Sequence, residues 1–132
     1  MKRAILILLP VLILLAACCA GGLSSEVVHG IVDSANIPAA ITEGDQLEIE
    51  VLVLLEGALD NFSHFSNDVD HADKEIRIRP YVREIRSDGW VPVNVITHEW
   101  ARFDDLEAGD WDIQIDGTNK DVEGTVTIEP AG

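Results

Sequence analysis

An all-β domain of seven or eight short strands, closed as a sandwich or barrel behind an export leader, is the fold the sequence predicts. Three observations carry it. Apolar residues alternate at period two in short runs separated by Gly, Asn, Asp and Pro. No stretch keeps a convincing 3.6-residue period, and no segment repeats. The uncharged residues 4–17 stand apart from everything that follows.

The strands are read in chain order. Residues 26–33 supply the first. In 46–55, Leu47, Ile49, Val51 and Val53 share one face and Gln46, Glu48 and Glu50 the other. Leu52, Leu54 and Leu55 make the far end apolar on both faces, so that half is expected to lie deeper or beneath a loop. A weak strand surrounds Phe62. Residues 75–82 place Ile76, Ile78 and Val82 inward and Arg77, Arg79 and Arg83 outward, with Pro80 in the inward row. Proline has no N–H to give a ladder, which predicts an edge strand or a bulge there. Val91, Val93 and Val95 mark a further run after the turn Ser87-Asp88-Gly89, and 100–103 adds another. Residues 110–116 align Trp111, Ile113 and Ile115, and 122–129 align Val122, Val126 and Ile128. Gly117, Thr118, Asn119 and Lys120 between them predict a hairpin turn.

The leader fixes an address. Lys2 and Arg3 precede the apolar run, which Pro10 interrupts and which is shorter than the about 17 to 25 residues of a spanning helix. This is the pattern of a secretory signal peptide. Its end, Leu15-Ala16-Ala17-Cys18, resembles the lipobox of bacterial lipoproteins. The resemblance implies cleavage after residue 17, a diacylglycerol thioether on Cys18, and a chain anchored in the bacterial cell envelope. With Cys19 and no Asp after the acylated cysteine, that family's sorting rule implies the outer membrane where the organism has one. The expected organisation is therefore a signal peptide over 1–17, a lipidated cysteine and tether over 18–25, and the sandwich over 26–132.

Charge then constrains the partners. The 132 residues carry 9 Lys and Arg against 24 Asp and Glu, a net charge of -15, which excludes nucleic acid as an expected partner. Lys2 and Arg3 leave with the leader, so the mature body is more acidic still. It is expected to stand off anionic head groups within a Debye length of roughly 8 Å, held by its lipid. Both cysteines lie at the lipidated end, so the domain has no internal disulfide and must be stable on packing.

Seven short strands in about 105 residues match the size and spacing of an immunoglobulin-like sandwich. The segment Leu106-Glu107-Ala108-Gly109-Asp110-Trp111-Asp112-Ile113-Gln114-Ile115-Asp116-Gly117 is similar to the Leu-x-x-Gly-x-aromatic-x-Val-x-Val-x-Gly ending of many small bacterial lipoproteins with such domains. There the Leu and the aromatic pin the entry to the penultimate strand. Trp111 stands in the aromatic position, with an indole N–H able to donate when buried.

Chemistry-bearing residues are sparse. His64 and His71 flank Ser66-Asn67-Asp68-Val69-Asp70, read as a loop across which two imidazoles and two carboxylates can meet, so His64, Asp68, Asp70 and His71 are the candidate metal ligands, with donors suited to zinc or copper. Asp73 and Glu75 extend the acidic spacing toward a calcium reading, and Asp104, Asp105, Glu107, Asp110 and Asp112 form a second acidic group. No Gly-x-Ser-x-Gly elbow and no phosphate-cradling glycine loop occurs, so a non-catalytic protein without a cofactor is expected. Trp90, Trp100, Phe62 and Phe65 are candidates for a core or a recognition patch. Arg77, Arg79, Arg83 and Arg86 are expected to pair across strands with Glu48 or Glu50. The function expected from all this is a lipid-anchored binding or accessory module with a protein partner, engaged by loops or an edge strand. Metal binding is the alternative.

Overall fold

A computed structural model describes residues 23–132. The expected leader over 1–17, Cys18, Cys19 and the start of the expected tether lie outside the described residues. Nine strands and no helix occur among those described: β1 (Ser24–His29), β2 (Ile31–Asn36), β3 (Ala40–Thr42), β4 (Leu47–Gly57), β5 (Asn61–Asp70), β6 (Glu75–Arg86), β7 (Pro92–Phe103), β8 (Gly109–Asp116) and β9 (Asp121–Glu129). They form a six-stranded and a three-stranded sheet, a two-sheet all-β architecture.

Strand count and polarity both depart from the sequence reading. The expected run 26–33 is two strands, because Gly30 lets the chain leave one sheet for the other. The runs around Val95 and Trp100 merge into β7, and Ser24 and Ser25, expected in the tether, already pair with Arg86 and Ile85. Parallel pairs also occur, β6 with β8 and β3 with β9, so the larger sheet is mixed and the β2-β4-β7 sheet alone is antiparallel.

The long strand β6 organises the larger sheet. On one side it pairs along most of its length with β5; on the other, residues 75–78 pair with β8 and residues 81–86 with β1. Pro80 sits at the junction. It is buried in a strand with neighbours on both sides, which corrects the edge expectation. A strand residue directs its N and its C=O to the same side, so the missing N–H falls in the gap between β8 and β1. The Pro80 carbonyl there accepts the Gly30 N–H at 2.8 Å. The bulge lies in β5, between Phe62 and His64.

Gly30 is the crossing point. A Cβ there would stand 3.3 Å from the Pro80 oxygen and 3.4 Å from Val82 Cγ1, tighter than most contacts tolerate. The Gly30 carbonyl accepts both the backbone N–H of Thr118, at 3.0 Å, and its hydroxyl, at 2.8 Å. Next along the chain, Asn119 accepts from Val32 N at 3.1 Å and donates to Val32 O at 2.9 Å. The expected hairpin turn over 117–120 thus clips β2 to the β8–β9 end as the chain changes sheets.

Period-two patterning is recovered in the core. Leu47, Ile49, Val51 and Val53 of β4 face Ile76 and Ile78 of β6 and Trp111, Ile113 and Ile115 of β8, all at most 1% exposed. Trp111 donates its indole N–H to the Glu107 carbonyl at 2.9 Å, and Leu106 beside it is buried. Leu52 and Leu54 are only half-buried, on the outer face of the three-stranded sheet, where no loop covers them to the depth the sequence suggested.

Asn119→Ala is expected to destabilise the domain by roughly 2 kcal/mol, because it strands both polar groups of the fully buried Val32. Urea unfolding checks this. A loss under about 0.5 kcal/mol, typical of a neutral surface change, would contradict the clip.

Candidate functional site

The four candidate metal ligands do not come within reach of one ion, although Asp68, Asp70 and His71 border the same concavity. The stretch between the two histidines is not a loop but the second half of β5, and an extended strand carries its residues apart at about 3.3 Å per step. His64, Asp68 and Asp70 lie opposite Tyr81, Arg77 and Glu75 on the outer face. His64 stacks on Tyr81 with ring centroids 5.0 Å apart, and its Nδ1 is 2.9 Å from Ser63 Oγ. Asp70 accepts the Asp73 N–H at 3.0 Å, closing the turn into β6. His71 meets Glu107 at 2.9 Å and presents an edge to Trp111. The His71 hydrogen bond, as the largest cause, holds the Glu107 carboxyl below its usual range.

The remaining candidates are similarly dispersed. His29 Nε2 lies 2.6 Å from the Asp116 carbonyl, and His98 pairs with Glu50 at 3.1 Å. Glu50 is held below the usual carboxylate range by hydrogen bonds from Asn36 and then His98. In the second acidic group, Asp104 accepts from Gln46, Asp110 from Thr127 and Asp112 from Thr125. Among the described residues no group of three or more His, Cys, Asp or Glu comes within reach of one metal ion.

The arginine stripe is present on β6 but its partners differ from those expected. Glu48 and Glu50 belong to the other sheet, where Glu48 pairs with Arg102 at 3.6 Å. Arg77 and Arg79 converge instead on Asp116, at 3.5 and 3.4 Å, and Gln114 donates to its other oxygen at 2.7 Å. Arg83 donates to Ser25 Oγ, tying β1 to β6.

Arg86 reaches Asp60, a residue no sequence pattern singled out. The Asp60 side chain is 2% exposed and accepts the backbone N–H groups of Gly57 at 2.9 Å and Ile85 at 3.0 Å, and Arg86 Nη1 at 2.8 Å. Burial pushes this carboxyl up, but the Ile85 and Gly57 N–H groups and Arg86 outweigh it and leave it below the usual range. Arg86 also pairs with Glu84, and its guanidinium lies 4.9 Å over the Trp90 ring. Asp60 therefore sets the conformation of the β4–β5 turn and anchors the start of the β6–β7 loop.

Two surfaces remain open. On the outer face of the six-stranded sheet, a broad concavity of about 1040 Å³ runs from the edge strand β5 across β6 and β8 to β9. Asp68, Asp70, Glu75, Asp112 and Glu123 line it, with Arg77 as its basic residue. The second is the end of the sandwich where β4 meets β7. Val95 shares the core-facing side with Leu55 yet is 51% exposed, so this corner is uncovered. The four candidate aromatics divide accordingly. Phe62 and Phe65 pack on the core with centroids 4.7 Å apart, while Trp90 and Trp100 are exposed on different surfaces. Comparison with protein-family models, with curated proteins and with solved structures returns no match.

Asp60→Asn is expected to lower stability by about 2 kcal/mol, discounted because Arg86 is about one-third exposed. The depressed carboxyl stabilises the fold above its unfolded value near pH 4, and that contribution is lost as pH falls through the lower folded value. Denaturation at pH 7 and at pH 2.5 checks both signs: the variant's deficit should shrink at the acid end.

Proposed function

We propose that the chain is a lipid-anchored, non-catalytic module of the bacterial envelope, with an immunoglobulin-like sandwich that binds a protein partner. The observation that carries this reading is the edge of β5. Among the described residues no strand lies against its free side, and residues 64–70 contain neither Lys nor Pro, two of the usual guards of a sheet edge. A partner strand adding there would satisfy backbone groups that otherwise face water. The same edge borders the acidic concavity, which suits a partner with a basic surface beside its docking strand.

Support for the anchor comes from the run 4–17 and Leu15-Ala16-Ala17-Cys18. Among the described residues, no helix is long and apolar enough to cross a membrane, so attachment in this reading rests on the acyl chains at Cys18. The dispersed imidazoles leave the metal alternative without a geometric argument.

Two experiments test the proposal. Cys18→Ser should move the protein out of the membrane fraction, and intact mass of the native chain should begin at an acylated Cys18. An unmodified amino terminus would refute the anchor. Asp68→Lys with Asp70→Lys should weaken a partner complex, recovered by crosslinking in native membranes, by about tenfold or more, the scale of losing close charge pairs. Thermal stability should fall by about 1 kcal/mol, the cost of losing the Asp70 bond to the Asp73 N–H, and the domain should stay folded because both residues are exposed. An unchanged complex would remove β5 and its concavity as the docking surface.

A further inference from the structure

One end of the sandwich gathers exposed apolar side chains where the chain enters the fold. Leu23, which precedes β1, and the β4–β5 and β6–β7 loops share this end, because Ser24 pairs with Arg86, Asn61 with Arg83 and Gly57 with Pro92. Leu23, Leu59, Trp90, Val91 and Val93 are 51, 56, 40, 54 and 41% exposed there. Apolar residues at loop tips have no fold-related reason to cluster, and a contiguous exposed group marks a contact surface.

The loops are also held in place. Ala58 N–H bonds the Val91 carbonyl at 3.0 Å, joining the two tips. Gly57 leaves room for the Trp90 indole, since a Cβ there would meet Trp90 Nε1 at 2.5 Å. Asp60 and Arg86 fix the base beneath them. The apolar tip is thus a built feature of the fold.

We infer that this end docks on the bilayer, with Trp90 at head-group level and Leu59 and Val91 in the interfacial region beneath it. The inference rests on the lipid-anchored reading. Leu23 lies five residues after Cys18, a reach of at most about 18 Å even when fully extended, so an acylated Cys18 keeps this end close to the membrane surface. Indole at the interface and aliphatic side chains just below it match the partition preferences of both.

Charge points the same way. Asp70, Asp73 and Glu75 at the β5–β6 turn, with Asp104 and Asp105 after β7, lie at the opposite end of the long strands, as does the C-terminal end of β9. At the apolar end Asp60 and Glu84 are paired with Arg86, while Glu26, Glu56 and Asp88 remain exposed, fewer carboxylates than the far end carries. Repulsion between the acidic body and anionic lipid, expected from net charge alone, therefore acts mainly on the far end and orients the domain upright.

Depth-dependent quenching tests this on the full chain, expressed with its leader, purified from membranes and reconstituted into phosphatidylcholine vesicles or vesicles of its acyl-brominated analogue. Trp111 is fully buried, so Trp100→Phe leaves Trp90 as the exposed indole. Bromine should roughly halve the emission of this variant, as for one of two indoles held at the interface. The Trp90→Phe/Trp100→Phe chain should keep its emission, and its remaining Trp111 signal reports folding. Leu59→Asp with Val91→Asp, added to Trp100→Phe, should abolish the quenching. A chain that floats with the vesicles while Trp90 stays unquenched would overturn the docking and leave the anchor intact. A chain that neither floats nor is quenched would overturn both. Protection of Trp90 only after native membrane proteins are added, without bromine quenching, would overturn it in favour of a protein contact.

Discussion

The change of sheet at Gly30 is the constraint on which the rest of the molecule depends. A chain crossing between two sheets must leave one hydrogen-bond ladder before joining the next, and buried backbone groups in the gap need partners. Here each has one. Gly30 N–H goes to Pro80, its carbonyl to Thr118, and both polar groups of Val32 to Asn119. Because these partners come from β6 and from the β8–β9 turn, one crossing couples the N-terminal strands to the last hairpin. No cysteine occurs among the described residues, and a polar clip joins the sheets here.

The same crossing sets the surfaces. β1 and β8 share one side of β6 end to end, which leaves β5 alone on the other side with its far edge free. Asp116, where β8 stops, gathers Arg77 and Arg79, so two of the strand's cations share one carboxylate at its middle. The concavity beyond them stays acidic. At the other limit of β6, Asp60 and Arg86 hold the apolar loops. A single long strand thus separates an acidic region from an apolar tip, and the fold gains a polarity that net charge does not reveal.

Several local features could be read without coordinates. Alternation in β4, β6, β8 and β9 assigned the buried face correctly, because period two is dictated by the pleat. Trp111 shares a face with Ile113 and Ile115 in that alternation and is fully buried with them, and 117–120 reads as a turn. Val91, Val93 and Val95 gave the same alternating signal as core residues yet are exposed, since patterning says nothing about whether a second sheet extends that far. The His64 to His71 spacing misled for a related reason: Asp and Asn within it suggested a loop, and pairing with β6 made it strand. The Asp60 network left no trace in the sequence, because its donors Ile85 and Arg86 lie 25 and 26 positions away.

From composition and order alone, the chain specifies an apolar N-terminal run ending in a lipobox-like cysteine, an acidic remainder and a set of half-buried strands. These are properties of neighbours along the chain, where the pleat and the transfer of apolar side chains from water act locally. Tertiary structure decided which strands meet, that Pro80 occupies a junction, which carboxylate each arginine meets, and where the unmatched apolar residues lie. Such choices depend on contacts between residues up to 88 positions apart, as between Gly30 and Thr118. Pairing energies of that kind exist only once the two sheets have closed.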